Sequence, residues 1–183
     1  MSIYALYNRT AIVVREHDEP HLRTYTNAIM RQDTTEFMLT GSYPMRWIDS
    51  KAVWDRERAA GDVLFAIHAG ENLKYIGICG LHNLRDIYHS AELRILIFDK
   101  DAVGKGIGTE AVKLLVDYGF NRLNLHRIWL GVNADNERAV KCYLKAGFKE
   151  EGRLREDIFY HGKWADAIRM GILRSEWKGL DAA

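Results

Sequence analysis

The sequence predicts a single α/β domain built on a mixed sheet, and three observations predict it. Short apolar runs, β-branched or alternating, recur along the 183 residues. Apolar positions at helical spacing separate those runs, and no internal repeat, low-complexity stretch or linker breaks the order. A chain of this length can bury one core, so one domain is expected over residues 1–183.

Ala11 to Arg15 is a β-branched run and reads as a strand, and after Pro20 the residues Leu22, Tyr25, Ala28 and Ile29 recur at helical spacing. A second helix is expected from Asp49-Ser50 through Ala52, Val53 and Trp54 to a stop at Gly61. Val63 to Ala69 and Leu73 to Leu81 are apolar runs joined by Gly70-Glu71-Asn72, a hairpin signal. His89 to Phe98 alternates as the third strand of that meander, with Ala91, Leu93, Ile95 and Ile97 on one face and Glu92, Arg94, Leu96 and Phe98 on the other. Ile107, Ala111, Leu114, Leu115 and Tyr118 trace one side of a helix running to about Arg122. Arg127 to Asn133 is the next strand. Asn136 to Ala146 repeats the helical period through Ala139, Val140 and Tyr143 and ends at Gly147. A strand pair near Glu151 to Phe159 and Trp164 to Leu173 closes the sheet.

Lys and Arg number 26 against 25 Asp and Glu, a net charge of +1 with the signs mixed, so no polybasic field exists for nucleic acid or an anionic membrane. The N-terminus lacks a basic segment followed by an apolar run, and no apolar stretch approaches the roughly 20 residues that span a bilayer. A cytoplasmic location is expected. Cys79 and Cys142 belong to no CxxC pair, so both are expected to be reduced and no metal site is expected. Asn8-Arg9-Thr10 matches the glycosylation pattern, which without a secretion signal has no consequence.

The string Val103-Gly104-Lys105-Gly106-Ile107-Gly108-Thr109-Glu110-Ala111 lies between a strand and a helix. Unpaired N–H groups and the dipole at a helix start favour an anion, and glycine clears its approach, so a phosphate is the natural ligand; a plain structural turn is the competing reading. A Walker A loop is excluded, since no Lys-Ser or Lys-Thr follows the last glycine. Gly106 to Ala111 does fit the dinucleotide fingerprint, but Asp99 to Gly104 intervene after the strand, and Gly131-Val132-Asn133 places no carboxylate for a ribose.

Val103 to Gly108 also falls on the acetyl-CoA motif Q/R-x-x-G-x-G/A, with Val103 in place of the usual first residue. Asn136-Glu137-Arg138-Ala139-Val140-Lys141-Cys142-Tyr143-Leu144-Lys145-Ala146-Gly147-Phe148 looks like N-x-x-A-x-x-x-Y-x-x-x-G-F at the matching distance. On these two stretches the chain resembles the GNAT superfamily of N-acetyltransferases, nearest the branch of ribosomal-protein N-terminal and spermidine acetyltransferases. The tail Ile158-Phe159-Tyr160-His161-Gly162-Lys163-Trp164 is similar to that branch too, and the resemblance weakens before about Val63. It implies a mostly antiparallel central sheet flanked by helices, with an acetyl-CoA cleft between the two central strands. It implies acetyl-CoA as cosubstrate, held by the main chain of Leu96, Ile97 and Phe98 and by Val103, Gly104, Lys105, Gly106, Ile107, Gly108 and Thr109. Asn136 would meet the pantetheine arm, and as a helix N-cap it can serve both ends.

Acetyl transfer to an amine needs a neutral nucleophile, a polarised thioester carbonyl and a proton for the thiolate. Tyr143 matches the tyrosine often assigned in the family as that acid; a core tyrosine on an apolar helix face is the plain alternative. Glu92 is the carboxylate candidate for the base, and Arg94 on the same face can simply pair with it. His82, His89 and His126 are weaker candidates. Tyr43, Pro44, Arg46, Trp47 and Trp54 fall in the region that lines the acceptor cleft in the superfamily, or else pack two helices. Asp33 and Glu36 offer some charge for a polyamine. The acceptor is therefore open among a protein N-terminus, a polyamine and an activated amino sugar. A homodimer or higher homo-oligomer is the expected assembly, and a catalytically silent acetyl-CoA-binding or regulatory module is the competing function.

Overall fold

The computed structural model describes residues 3–8, 10–14, 19–31, 44–160 and 162–180. Its elements in chain order are β1 (Ile3–Tyr7), β2 (Thr10–Val14), α1 (Glu19–Ile29), α2 (Trp47–Ala59), β3 (Val63–Ala69), β4 (Lys74–Arg85), β5 (Ser90–Ile97), α3 (Ile107–Asn121), β6 (Arg127–Asn133), α4 (Glu137–Lys145), β7 (Lys149–Tyr160) and β8 (Lys163–Leu173). The strands form one eight-stranded sheet in the order β1-β2-β3-β4-β5-β6-β8-β7. Every neighbouring pair is antiparallel except β5 and β6, which run parallel because α3 carries the chain between them.

Alternation along β5 divides the core between the two faces of the sheet. Ala91 and Leu93 join Ala111, Leu114 and Leu115 of α3, whereas Leu96 joins Leu22 and Ile29 of α1 and Trp54 of α2. Fully burying a Leu or Ile side chain of this core stabilises the fold by about 1.5–3 kcal/mol. The α1–α2 contact also holds a buried hydroxyl pair, Thr26 to Ser50 at 2.7 Å, and the Tyr25 and Trp54 rings, tilted against each other with centroids 5.0 Å apart.

Several boundaries differ from expectation. β1 precedes the first expected strand and pairs with β2. α2 starts at Trp47, two residues before Ser50's neighbour Asp49. The reason is local: Asp49 sits at the third helical position, where its carboxylate accepts the Arg46 N–H at 2.8 Å and pairs with the Arg46 guanidinium at 2.9 Å. β4 continues past Leu81 to Arg85, and a single 3-10 turn, Asp86–Tyr88, then leads into β5.

Candidate active site

The parallel pairing of β5 with β6 covers only Ser90–Glu92 against Arg127–Trp129. Beyond it β5 continues to Ile97 and β6 to Asn133, and a cavity of about 750 Å³ is lined by both strands, the glycine turn and α4. The Phe98 N–H donates to the Ile76 carbonyl on the β4 side at 3.0 Å. Alternation then turns the main chain of Leu96 toward β4 as well and leaves the N–H and C=O groups of Ile95 and Ile97 facing the cleft. Of Leu96, Ile97 and Phe98, only Ile97 therefore offers cleft-facing main-chain groups, and Ile95, not anticipated from the sequence, offers the other set. The Phe98 ring packs edge-on against Tyr75 with centroids 5.1 Å apart, off the cavity wall.

The glycine turn forms the floor at the start of α3. Gly104 (φ 79°) and Gly106 (φ 84°) are both left-handed, the conformation in which a Cβ is strained, and a Cβ on either would meet nothing within 4 Å. Gly106 is the N-cap of α3, so the N–H groups of Ile107, Gly108 and Thr109 start the helix without helical partners. Open space above unpaired donors at a helix start fits a pyrophosphate. Gly108 differs: a Cβ there would make ordinary contacts with Ile97 Cδ1 at 3.4 Å and Cys142 Sγ at 3.6 Å, which accounts for a motif that accepts Gly or Ala at that place. Val103 and Thr109 line the cavity, Lys105 is exposed off its wall, and the Ile107 side chain is buried in the core.

α4 supplies the opposite wall. The Asn136 Oδ1 accepts the Ala139 N–H at 3.1 Å, so the cap role is present and Asn136 also lines the cavity. Tyr160 and Lys163, at the tip of the β7–β8 hairpin, hold Asp135 at 2.5 and 3.2 Å and thereby fix the loop that carries Asn136. Tyr143 lines the cavity with its ring packed edge-on against Phe148, centroids 6.0 Å apart. Burial, with a smaller contribution from Cys142, pushes its phenol well above the ordinary value, so the hydroxyl keeps its proton. Cys142 is a free thiol that accepts a 3.4 Å hydrogen bond from Thr109 Oγ1, and burial raises its pKa too.

Glu92 lines the cavity in an ion pair with Arg94 at 2.9 Å, and it accepts the Asn83 side-chain amide at 2.7 Å. Burial pushes the carboxyl up, but Arg94, Asn83 and His82 together hold it below the ordinary range. His82 is buried against Asp62, Nδ1 to Oδ2 2.7 Å, whereas His89 and His126 are exposed. Trp54 is 1% exposed and Trp47 lies under the Arg23 guanidinium at 5.2 Å, so both pack the helices rather than line the cavity. Asp33, Glu36 and Tyr43 lie outside the described residues. Among the wall residues not anticipated from the sequence are Gly131 and Asn133; the Asn133 Oδ1 accepts the Asp135 N–H at 2.9 Å, while its buried Nδ2 has no hydrogen-bond partner among the described residues.

Residues 11–149 match the family model of the acetyltransferase (GNAT) domain. The chain is 39% identical over 101 residues to the spermidine N(1)-acetyltransferase of Escherichia coli (strain K12), covering 55% of this chain and 54% of that protein. It thus spans about half the length of that curated relative. It is 35% identical over 130 residues to the putative ribosomal N-acetyltransferase YdaF of Bacillus subtilis (strain 168), 69% of this chain and 68% of that one. In structure it resembles spermidine N-acetyltransferase from Vibrio cholerae, solved in complex with CoA and spermine, with a TM-score of 0.83 at 28% identity over 92% of this chain and 97% of that one.

Proposed function

The chain belongs to the GNAT acetyltransferase family, and on that premise we propose that it moves the acetyl group of acetyl-CoA to a primary amine by direct attack in a ternary complex. The observation that carries this reading is one cavity bounded at once by the glycine turn, the strand groups of Ile95 and Ile97, and Tyr143. The start of α3, with Gly104 and Gly106, holds the pyrophosphate; Ile97 and Ile95 pair with the pantetheine amides as an added strand would, and Asn136 meets the same arm. Acetyl-CoA supplies an activated thioester carbon. One cleft-facing N–H of β5 stabilises the developing oxyanion. As the amine nitrogen bonds to that carbon and the C–S bond breaks, Glu92, directly or through a water, accepts the amine proton, and Tyr143 gives its phenolic proton to the thiolate. The protonated phenol and the ionised carboxylate described above are the forms these steps require.

The acceptor classes are a protein N-terminus, a polyamine and an activated amino sugar, and the names of the relatives support the first two. A single domain carries the activity, and the free thiols support work in the reducing cytoplasm. The exposed Phe159 and Trp164 rings, in contact with centroids 5.1 Å apart, support a homo-oligomer. The test is thiol release from acetyl-CoA across a panel of amines. Release that depends on an added amine is expected; tight CoA binding with no release for any amine would instead establish the silent binding module.

A further inference from the structure

Gly131 lies inside β6 without either of the backbone reasons for a glycine. Its φ is not left-handed, and a Cβ built on it would meet nothing within 4 Å, so no close approach requires its absence. Glycine inside a strand weakens the strand, so the residue is unfavourable for folding, and what it supplies in return is room. That room is in the cavity, whose wall Gly131 forms while itself exposed.

Its side of the sheet is fixed by register. Trp129 pairs with Glu92, and alternation puts Gly131 on the same face as Trp129, so the bare Cα lies on the side that carries the Glu92 carboxylate. Leu130 and Val132 point the other way, into the α3 core. On β8 the register partner of Gly131 is Arg169, but the Arg169 guanidinium lies over the Trp129 ring, 4.2 Å from its centroid, and leaves the space above Gly131 open.

Building on the acetyl-transfer reading, we infer that Gly131 determines acceptor specificity: the missing side chain leaves a notch beside the reacting amine that admits a substituent on the neighbouring carbon. The favoured acceptor is then an α-branched primary amine, as at a peptide N-terminus. A linear polyamine presents only a thin methylene chain there and has no use for the notch.

The test compares wild type, Gly131→Ala and Gly131→Val on a peptide with N-terminal alanine and on spermidine, measuring kcat/KM, CoA affinity and Tm. A wild type faster on the peptide is expected. Gly131→Val should lower kcat/KM for the peptide at least about tenfold, as an occupied substituent pocket does, while spermidine loses far less. CoA affinity should hold and Tm should stay level or rise, since valine favours a strand. Unchanged peptide kinetics in Gly131→Val, or a wild type that prefers spermidine, would overturn the inference. Equal losses on both acceptors with weakened CoA binding would assign the space to pantetheine and overturn it as well. A wild type that binds CoA and acetylates neither probe nor any other amine would overturn the transfer reading itself.

Discussion

Two side chains divide the proton work of the proposed reaction, and each can be tested by a change that keeps its shape. Tyr143→Phe preserves the ring against Phe148 and removes only the hydroxyl, so CoA affinity and Tm should hold while kcat falls on the order of 10²- to 10⁴-fold, the span of general acid catalysis. Because burial lifts the phenol far above its usual value, wild type should show no loss of rate from its ionisation near pH 10. Unchanged turnover would mean that another group or water is the acid. Glu92 is tested through its partner. In Arg94→Met the largest influence left on the carboxyl is burial, which raises it, so the acid limb of kcat/KM should move to higher pH if Glu92 is the base; an unmoved limb would relieve it of that role. The same change affects stability with a definite sign. A depressed carboxyl contributes stability that is present above its unfolded pKa of about 4.3 and is lost as pH falls through the lower folded value. The loss in Arg94→Met should thus appear near neutral pH and vanish in acid, and with Arg94 54% exposed it should not exceed about 1 kcal/mol. The places of Glu92 and Tyr143 on the cavity wall were legible because each sits in a sequence pattern. Asn133 was not, since only the tertiary fold buries its Nδ2 at the cavity wall, and the one mark Gly131 leaves in the sequence is an isolated glycine within a strand run.

At the scale of elements, the start of α3 is where sequence and chemistry coincide most closely. Gly106→Val keeps a left-handed N-cap only at a cost of roughly 1–2 kcal/mol, and it places a branched side chain in the open space above the helix donors. The folded variant should therefore bind CoA much more weakly in calorimetry, with Gly108→Ala close to wild type because its Cβ makes ordinary contacts. Equal affinity in both variants would move the phosphates elsewhere. A continuous apolar run located β3, and helical spacing located α3, to within a residue, because β3 is buried along most of its length and α3 buries a regular face. What they could not supply is pairing. That β5 separates from β6 after Glu92, and that Ile95 rather than Phe98 turns its main chain to the gap, depends on hydrogen-bond register, which leaves no mark on residue type. β1 leaves little mark in the sequence because five residues at an edge carry little periodicity, and tertiary contacts such as the 2.8 Å bond from the Tyr7 hydroxyl to the Leu180 carbonyl help to hold it.

At the scale of the whole molecule, the cleft divides the sheet. β1 to β5 pair continuously on one side and β6, β8 and β7 on the other, and the two halves share only a short parallel ladder, with the α3 core spanning both. A ligand lying along β5 and against α4 would add contacts across that junction. Since it would bind only the folded chain, its effect on stability follows from mass action: about 2.7 kcal/mol at a concentration one hundred times Kd. For a chain of this size each kcal/mol moves Tm by roughly 2–4 °C, so saturating CoA or acetyl-CoA should raise Tm by about 5–10 °C. NADH, ATP and GTP carry phosphates for the α3 start but no pantetheine for Ile95, Ile97 and Asn136, so they should raise it much less. Amide exchange gives the same expectation residue by residue, with protection by CoA strongest at Ile95, Ile97 and the first turn of α3 and weak at β1. A larger Tm shift with any of the three nucleotides than with CoA would mean that the cleft selects a nucleotide without the arm, and the acetyl-transfer assignment would fall.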